Sequence, residues 1–491
     1  MENFISRFIV VWMYLLIIII FAGTIKVLQR NKDLFLSKIK NKKKILLFLL
    51  LIVVVSSVIK IAAFDSYFII NNSDSSEYVI ESEAISLTNK FVFVCDPPGF
   101  PVMINFLRRL GFLINAGFIV NLISSMLSVF LIFIFVQLLF MNHKISLLAA
   151  VLFSFSPLHT GSVIVGFPMP TSILFILIGL IMVIIALSKN DLFAYSLIGL
   201  SIGFAFHLFY IESVFIVIAI LWMIIKKGLK FVFNVKLWLV LFVFFITILP
   251  FIILQNTSTN NECITYTKYP RFQNTNDPMC KILRNYCGLY DFKYIFKNSE
   301  IKESFINDID GNLLSYFSFL FLGYGVDDYH YTTSIWKRLN DYTYNPTYWF
   351  SLFFIMIGLI LSLTKKIKIK SLYLLLSLLI VYLLAISLYY GILYLFSVPI
   401  IVLFKIPLLS FGIYHFLKRI KITYLRYFFL VIILLILLSQ IFVRLDFEKP
   451  RFGEEKTNKD VFCNRYESYK EPCYSLHEKI DWNKLMRDAE S

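Results

Sequence analysis

Residues 171–187 read Thr-Ser-Ile-Leu-Phe-Ile-Leu-Ile-Gly-Leu-Ile-Met-Val-Ile-Ile-Ala-Leu, a run without any charged side chain. A helix needs about 20 mainly apolar residues to cross a hydrocarbon core of about 30 Å. Similar runs recur, about twelve in all, from Phe8–Ile25 near the start of the chain to Tyr427–Val443 near its end. One of them is predicted as a continuous span over Ile145–Val163. Because the runs lack the polar alternation of membrane strands, the sequence predicts an all-α polytopic membrane protein.

The composition agrees with a membrane protein and indicates its orientation. Of the 491 residues, 59% are hydrophobic and 16% are charged, and the formal net charge is +16. The basic residues concentrate in alternate loops beside the apolar runs, so they fit the positive-inside rule better than a nucleic-acid partner. We therefore predict that these basic loops are cytoplasmic and that both termini lie outside. The protein is expected in a plasma or inner membrane, or in the endoplasmic reticulum of a eukaryote, in contact with membrane lipids.

The apolar runs divide the chain into five predicted parts. They are an anchor helix with a basic loop (1–44), a transmembrane core (45–254) that includes an acidic outer loop (65–100), an extracytoplasmic cap (255–348), the last transmembrane helices (349–443) and an outer tail (444–491). Two further segments are too short to span. Pro101–Gly117 is predicted as a helix at the outer interface, and Leu313–Tyr324 either as an interfacial or re-entrant helix or as a short buried helix of the cap.

All six cysteines fall in segments predicted to lie outside: Cys95, Cys263, Cys280, Cys287, Cys463 and Cys473. An even number of cysteines in an oxidising compartment indicates disulfides, although the sequence leaves their pairing open. Zinc ligation is disfavoured because no C-x-x-C spacing with matching histidines occurs.

The acidic outer loop carries the best candidates for chemistry. It contains Asp74-Ser-Ser-Glu77-Tyr78 and then Asp96-Pro97-Pro98-Gly99-Phe100-Pro101. Carboxylates held beside a membrane suggest acid–base or metal work. Their oxygens suit Mg²⁺ or Mn²⁺, so Asp74 and Asp96 are also candidate metal ligands, although nothing in the sequence requires a metal. Two plainer interpretations remain open: these charges solvate the loop, or Asp74 caps a helix.

The same residues resemble the first outer loop of the GT-C glycosyltransferases, in the branch of the protein O-mannosyltransferases and the lipid A aminoarabinose transferase. In that branch, an acidic residue four positions before a tyrosine precedes an acidic-Pro-Pro element. Ser156-Pro157 and Ser397-Val-Pro399 are similar too, and the resemblance extends over about Ile45–Ile413. It implies transfer of a sugar from a polyprenyl-phosphate donor to a protein, glycan or lipid acceptor on the outer face, with inversion.

The resemblance also implies roles for individual residues. Asp74 would be the general base, Asp96 would orient the substrate, and Glu77 would assist. A phosphate leaving group needs cations beside it. The candidates on the same predicted side are Arg338, Lys337, His330, His159, Arg108 and Arg109. The chain departs from the family's late Arg-Tyr pair, with Tyr390-Gly-Ile-Leu-Tyr394 in its place, so the choice among these cations stays open.

Two other functions fit the sequence. An O-antigen ligase or polymerase would also have about a dozen spans and a long outer loop, but its work would centre on Arg338 and His330. A flippase for lipid-linked glycans would need no carboxylate chemistry. A secondary transporter is disfavoured because ionisable residues are nearly absent from the predicted spans. Motifs of nucleotide hydrolysis and of zinc proteases are absent from the sequence.

Overall fold

The computed structural model describes residues 2–37, 41–64, 73–88, 97–112, 115–257, 346–363 and 401–426, together with a few single positions. Over these ranges the chain is helical and contains no strand. In chain order the helices are α1 (Glu2–Arg30), α2 (Asp33–Leu36), α3 (Lys42–Ala62), α4 (Ser73–Thr88), α5 (Gly99–Arg109), α6 (Ala116–Phe140), α7 (His143–Ser154), α8 (Pro157–Val165), α9 (Met169–Lys189), α10 (Leu192–Phe206), α11 (Val214–Lys227), α12 (Val235–Thr257), α13 (Pro346–Leu363) and α14 (Ile406–Arg419). Short turns of 3₁₀-helix cover Tyr210–Ser213 and Leu229–Phe233, and a π-helical turn covers Ile401–Lys405.

Five of these helices are long and apolar enough to cross a membrane, namely α1, α3, α6, α9 and α12. The prediction of an all-α integral membrane protein is therefore confirmed. The predicted total of about twelve spans also draws on residues outside the described ranges. The cap, the tail, the segment Leu313–Tyr324 and all six cysteines lie outside them as well.

Helix α9 forms the centre of the described bundle. Every residue from Met169 to Leu187 is buried, and the helix packs between α6 and α10. On the far side of α10 lies α12, and the two come close at Gly199, where an added Cβ would lie 2.5 Å from the carbonyl oxygen of Val240. Small residues at such crossings let membrane helices approach each other through their backbones. The run that is apolar on all sides is thus the buried core of the bundle.

One run that the sequence predicts as a single continuous span is two helices in the structure. The run Ile145–Val163 is divided between α7, which ends at Ser154, and α8, which begins at Pro157. Ser156 has extended backbone angles of −66° and 123°. A proline lacks the N–H that a continuing helix needs, and it disfavours helical angles for the residue before it. The Ser-Pro pair therefore ends one helix and starts a short second one.

The helices present two chemically different ends. At the basic end, Arg30 pairs with Asp191 and Lys236 bonds to Asn190, so α1, α10 and α12 meet there. A cavity of about 370 Å³ at this end is lined by Arg30, Asn31, Asp33, Lys189 and Asp191. At the opposite end, which we call the motif end, α4, α5 and α8 meet the end of α3, the beginnings of α6 and α9 and the end of α10.

Candidate functional site

The first acidic motif begins helix α4. The helix starts at Ser73, which confirms a helix in this part of the acidic loop and places Asp74 in its first turn and Glu77 at the start of its second. Acidic residues in a first turn are favoured because they face the positive end of the helix dipole. The side chains of Asp74 and Glu77, and the whole of Asp96, lie outside the described part of the chain.

A buried ion pair joins α4 to α5. Glu83 of α4 binds Arg108 of α5, and both side chains are almost fully enclosed. The Nη1 atom of Arg108 also donates to the carbonyl oxygen of Val79 over 3.0 Å and to the Ser82 hydroxyl over 2.9 Å. Burial lowers the pKa of Arg108 below its ordinary value, while the neighbouring carboxylate of Glu83 opposes that change. The guanidinium is thus held by one charge and two neutral acceptors.

Asn105 extends this junction. Its amide nitrogen donates to the carbonyl oxygen of Ser82 over 2.9 Å, and its amide oxygen accepts from the hydroxyl of Tyr14 over 2.9 Å. We call Ser82, Glu83, Asn105 and Arg108 the α4–α5 clamp. Because side chains of α5 bond to both side chains and backbone carbonyl oxygens of α4, the clamp fixes the rotation of α4 and hence the direction of its acidic first turns.

The two halves of the sequence motif meet in space. Tyr78 of the first half lies edge-on to Phe100 of the second half, with ring centroids 5.4 Å apart. The backbone N–H of Gly99 donates to the carbonyl oxygen of His207, at the end of α10, over 2.7 Å. An added Cβ at Gly99 would lie 2.6 Å from that oxygen, so the close approach requires glycine. The segment that immediately follows Asp96 is therefore anchored to the bundle.

A second polar cluster lies at the motif end, between α3, α6 and α8. The Nζ atom of Lys60 donates to the Ser125 hydroxyl over 2.7 Å, and that hydroxyl lies 2.8 Å from Nε2 of His159. Lys60 is 1% exposed, Ser125 1% and His159 0%. We call these three residues the lysine cluster. Within the described ranges, no carboxylate lies within the 4.0 Å of an ion pair from Lys60.

The roles of the two imidazole nitrogens of His159 depend on its tautomer. The Ser125 hydroxyl accepts from Lys60, and it can either donate its proton to Nε2 of His159 or accept a second bond from Nε2–H. Nδ1 of His159 is buried and has no hydrogen-bond partner among the described residues. In the tautomer in which Ser125 donates to Nε2, Nδ1 carries the imidazole proton and is a buried donor without an acceptor.

Hydroxyl groups continue from the lysine cluster toward α9. Ser124 lies 3.0 Å from the hydroxyl of Thr171, which donates to Asn121 over 3.0 Å. Asn121 in turn donates to the carbonyl oxygen of Phe167 over 2.6 Å. These bonds tie the beginning of α6 to the beginning of α9. A polar layer thus crosses the motif end of an otherwise apolar bundle.

Glu212 adds a buried carboxyl group at this end, in the turn between α10 and α11. It is 0% exposed, and neither carboxyl oxygen has a hydrogen-bond partner in the described ranges. Burial raises the pKa of Glu212 to about 8, and the nearby Ser172 hydroxyl offsets only part of that effect. The carboxyl group is consequently mainly protonated at neutral pH.

Only some of the remaining predicted site residues lie in the part of the chain that the structure describes. His159 belongs to the lysine cluster, Arg108 belongs to the clamp, and Arg109 is exposed on the next position of α5. His330, Lys337 and Arg338 lie outside the described residues. Within those residues, no three His, Cys, Asp or Glu side chains converge as metal ligands would. Because Asp74 and Asp96 are not among the side chains described, a divalent metal at these two residues stays a prediction.

Sequence reasoning missed Lys60. A signal was present, because a single lysine inside an apolar run indicates function by default. It was overlooked because ionisable residues are rare in the runs as a whole. The partnership of Lys60 with Ser125 and His159 could not be predicted, since the three residues lie on three helices and share no local spacing.

Comparison with known proteins supports one family. Residues 96–254, about a third of the chain, match the family model described as dolichyl-phosphate-mannose-protein mannosyltransferase. No curated protein matches the sequence. The match confirms the resemblance to the GT-C superfamily of membrane glycosyltransferases that the acidic loop predicts.

Two solved structures are similar to this chain, both of an oligosaccharyltransferase from Archaeoglobus fulgidus. One is AglB in complex with an inhibitory peptide and a dolichol-phosphate, and the other is the apo form. Each shares 11% sequence identity with a TM-score of 0.46, and the match covers 83% of this chain. The matched region spans 56% of the length of those proteins.

Proposed function

We propose that this chain, a GT-C membrane glycosyltransferase by its match over residues 96–254, transfers a sugar from a polyprenyl-phosphate carrier to an acceptor hydroxyl. The observation that carries the proposal is the meeting of the two motif halves through Tyr78 and Phe100. The matched region begins at Asp96, and the clamp holds α4 against α5. A shared fold does not establish activity, so the residues themselves carry the argument.

Asp74 is the proposed general base. It takes the proton of the acceptor hydroxyl, and the hydroxyl oxygen attacks the anomeric carbon from the face opposite the phosphate. The bond between that carbon and the phosphate oxygen breaks as the new glycosidic bond forms, and its electron pair leaves with the phosphate. A single displacement of this kind inverts the anomeric centre. Asp96 and Glu77 orient the reactants, and a divalent cation held by Asp74 and Asp96 would add charge for the phosphate.

The departing phosphate needs positive charge beside it because negative charge develops on its oxygen as the bond to the anomeric carbon breaks. His159 is the predicted phosphate ligand that lies within the described polar layer at the motif end. Arg109 is exposed on α5, whereas Arg108 is already paired with Glu83. We therefore propose that Arg108 positions α4 and does not bind phosphate. Arg338, Lys337 and His330 remain proposed ligands from the cap.

The motif end is proposed to face the extracytoplasmic side. Arg30, Lys189 and Lys236 gather at the basic end, and basic residues beside spans prefer the cytoplasm. The divisions of the chain at 1–44, 45–254, 255–348, 349–443 and 444–491 are proposed with the same orientation. The acceptor is a protein, a glycan or a lipid, and the proposal does not choose among them.

The test is sugar transfer by the purified protein in lipid nanodiscs, from a panel of labelled polyprenyl-phosphate sugars. Wild type is compared with Asp74→Asn and with Asp33→Asn, which removes an exposed aspartate at the basic end. We expect Asp74→Asn to lose at least about 10²-fold in rate, the lower range for a general base, and Asp33→Asn to match wild type. The product should have the opposite anomeric configuration to the donor.

Other outcomes identify the competing functions. Equal transfer by Asp74→Asn and wild type would remove Asp74 from the mechanism. Loss of activity only with Arg338→Gln or His330→Gln would favour a ligase or polymerase. Movement of a labelled lipid-linked glycan across the membrane without a new glycosidic bond, and unchanged in Asp74→Asn, would indicate a flippase.

A further inference from the structure

We infer that the lysine cluster is a binding site for a phosphate ester, with Lys60 as its charge and His159 Nδ1–H as a donor to the phosphate oxygens. The inference rests on the proposed function for the identity of the phosphate, which is the leaving group of the lipid carrier. It assigns a role to Lys60, which neither the acidic motif nor the family match over residues 96–254 includes.

The first argument is the balance of charge and hydrogen bonds. An ammonium group has three donors, and Lys60 uses one of them on Ser125. Within the described ranges, no carboxylate pairs with it, and Nδ1 of His159 is a further buried nitrogen without a partner, which donates in the tautomer that we assign to the site. Buried charges in proteins are normally paired and hydrogen-bonded because desolvation is costly. The cluster therefore supplies unsatisfied donors and one positive charge, which is what an anion with several oxygens accepts.

The second argument is the position of Lys60 in the bundle. Helix α3 ends at Ala62, so Lys60 lies about 3 Å along the helix axis from its end. Val58 and Ile61 on the outer face of α3 are more than half exposed, whereas Ser57 and Lys60 face inward. The cluster therefore lies one helix inside the lipid-facing surface, near the depth of lipid headgroups. A phosphate on a membrane-embedded chain reaches this depth by moving laterally past α3.

The third argument distinguishes Lys60 from the other cations of this end. Arg108 is the other buried cation, and its guanidinium is held by Glu83, Val79 and Ser82. A lysine binds phosphate as a compact point charge, and its flexible stem lets the ammonium follow the ligand. Its hydrogen-bond partner among the described residues is the small hydroxyl side chain of Ser125. The arrangement fits a tetrahedral anion that accepts from several directions.

The experiment measures binding by the full chain in nanodiscs with two probes, farnesyl phosphate and inorganic phosphate. Dissociation constants are compared for wild type, Lys60→Met, Lys60→Arg, His159→Gln and the control Lys44→Met, which removes an exposed lysine from the opposite end of α3. We expect Lys60→Met to weaken binding of farnesyl phosphate by at least 10-fold and His159→Gln by a smaller factor. Lys60→Arg should recover part of the affinity, and Lys44→Met should bind like wild type.

Each outcome decides the matter. Affinity in Lys60→Met equal to that of wild type would overturn the site. If Lys60→Met does not fold, equal affinity in both Lys60→Arg and His159→Gln would do the same. Binding of inorganic phosphate that competes with farnesyl phosphate would show that the phosphate group alone is recognised. Binding of farnesyl phosphate alone would show that the lipid chain is needed too.

The inference and the proposed function fail separately. Binding that depends on Lys60, in a protein that transfers no sugar from any donor, would keep the phosphate site and remove the transferase. Sugar transfer that depends on Asp74, together with binding and transfer in Lys60→Met equal to wild type, would keep the transferase and remove the site.

Discussion

Two buried cations at the same end of the bundle are treated in opposite ways. Arg108 in the α4–α5 clamp has a carboxylate and two neutral oxygens around it. Lys60 in the lysine cluster has one hydroxyl. Both are almost completely enclosed, at 7% and 1% exposure. The difference indicates that the clamp contains the counter-charge of its cation, whereas the lysine cluster, by our proposal, receives its counter-charge from a bound ligand.

The comparison also separates positioning from binding. A charge that is paired with a carboxylate and hydrogen-bonded to two further oxygens resists movement, so the clamp suits the task of holding the acidic turns of α4 in one orientation. An unsaturated charge favours any state in which an anion reaches it. The same end of the molecule therefore combines a fixed support for the carboxylates with a cationic cluster that we propose to be ligand-dependent.

The largest effect is expected from breaking the clamp. Glu83→Gln leaves the guanidinium of Arg108 buried without its counter-charge, and loss of one partner of a buried pair costs about 3–5 kcal/mol. The free energy of unfolding in detergent should fall by that amount. The double variant Glu83→Gln with Arg108→Met removes both charges and should recover most of the loss. A single Glu83→Gln variant as stable as wild type would show that the clamp does not hold the two helices together.

A pH-dependent effect is expected at Glu212, the buried acid in the turn between α10 and α11. Its pKa rises from an ordinary 4.5 to about 8 on folding, so the folded state binds the proton more tightly than the unfolded state does. The stabilisation that comes from this tighter proton binding is fully present below about pH 4.5 and is lost as the pH rises to about 8. Between these values the free energy of unfolding falls by up to about 1.4 kcal/mol per pH unit. Glu212→Gln, which stays neutral, should lack this slope.

Denaturant titrations at pH 5, 6, 7 and 8 measure this effect. Glu212→Gln should gain stability over wild type progressively across the series, while the control Asp33→Asn should follow the wild-type curve. Parallel curves for Glu212→Gln and wild type would show that the carboxyl group is ionised in the folded protein and has a partner.

A smaller and local effect is expected at Gly99, which anchors the second half of the motif. Gly99→Ala places a Cβ 2.6 Å from the backbone oxygen of His207, and relief of such a contact by backbone shifts costs about 1–3 kcal/mol. Gly117→Ala is the matched control, because its nearest atom would be Cδ1 of Ile104 at an ordinary 3.5 Å. The midpoint of thermal unfolding in nanodiscs should be lower for Gly99→Ala than for Gly117→Ala. Equal midpoints would mean that the backbone around Gly99 accommodates the added Cβ without loss of stability.

The sequence predicts features that depend on local pattern. Apolar runs indicate membrane helices wherever they occur, and the short segment Pro101–Gly117 predicts a helix where the structure has α5. The Ser156-Pro157 pair marks the break in the sequence, but hydrophobicity alone predicts one continuous span across it. The partnerships of Arg108 with Glu83 and of Lys60 with His159 could not be predicted, because they depend on how separate helices rotate against each other.

The same reasoning applies to Arg108, which the sequence offers as a candidate phosphate ligand and to which we assign a positioning role by proposal. A pair of arginines at the end of an amphipathic helix resembles a lipid-headgroup site when it is considered alone. Only packing against α4 brings Glu83 to Arg108 and leaves the adjacent Arg109 exposed. Residues one position apart on a helix point about 100° apart, so neighbours in sequence can have different surroundings.

The sharpest test of the contrast replaces each of the two buried cations with methionine. The smallest change in stability is expected for Lys60→Met. Arg108→Met removes the cation that faces the buried carboxylate of Glu83, so it should cost about 3–5 kcal/mol. Lys60→Met replaces an ammonium with an apolar side chain of similar length and leaves only the Ser125 hydroxyl without a donor. The variant avoids the cost of desolvating the cation, and this gain offsets the loss of the hydrogen bond to Ser125. The free energy of unfolding should therefore change by less than about 1 kcal/mol, in either direction. Denaturant titrations without added phosphate or lipid phosphate measure both changes. A loss in Lys60→Met as large as that in Arg108→Met would mean that the ammonium stabilises the folded protein as much as the guanidinium does, and that the lysine cluster acts in the same way as the clamp.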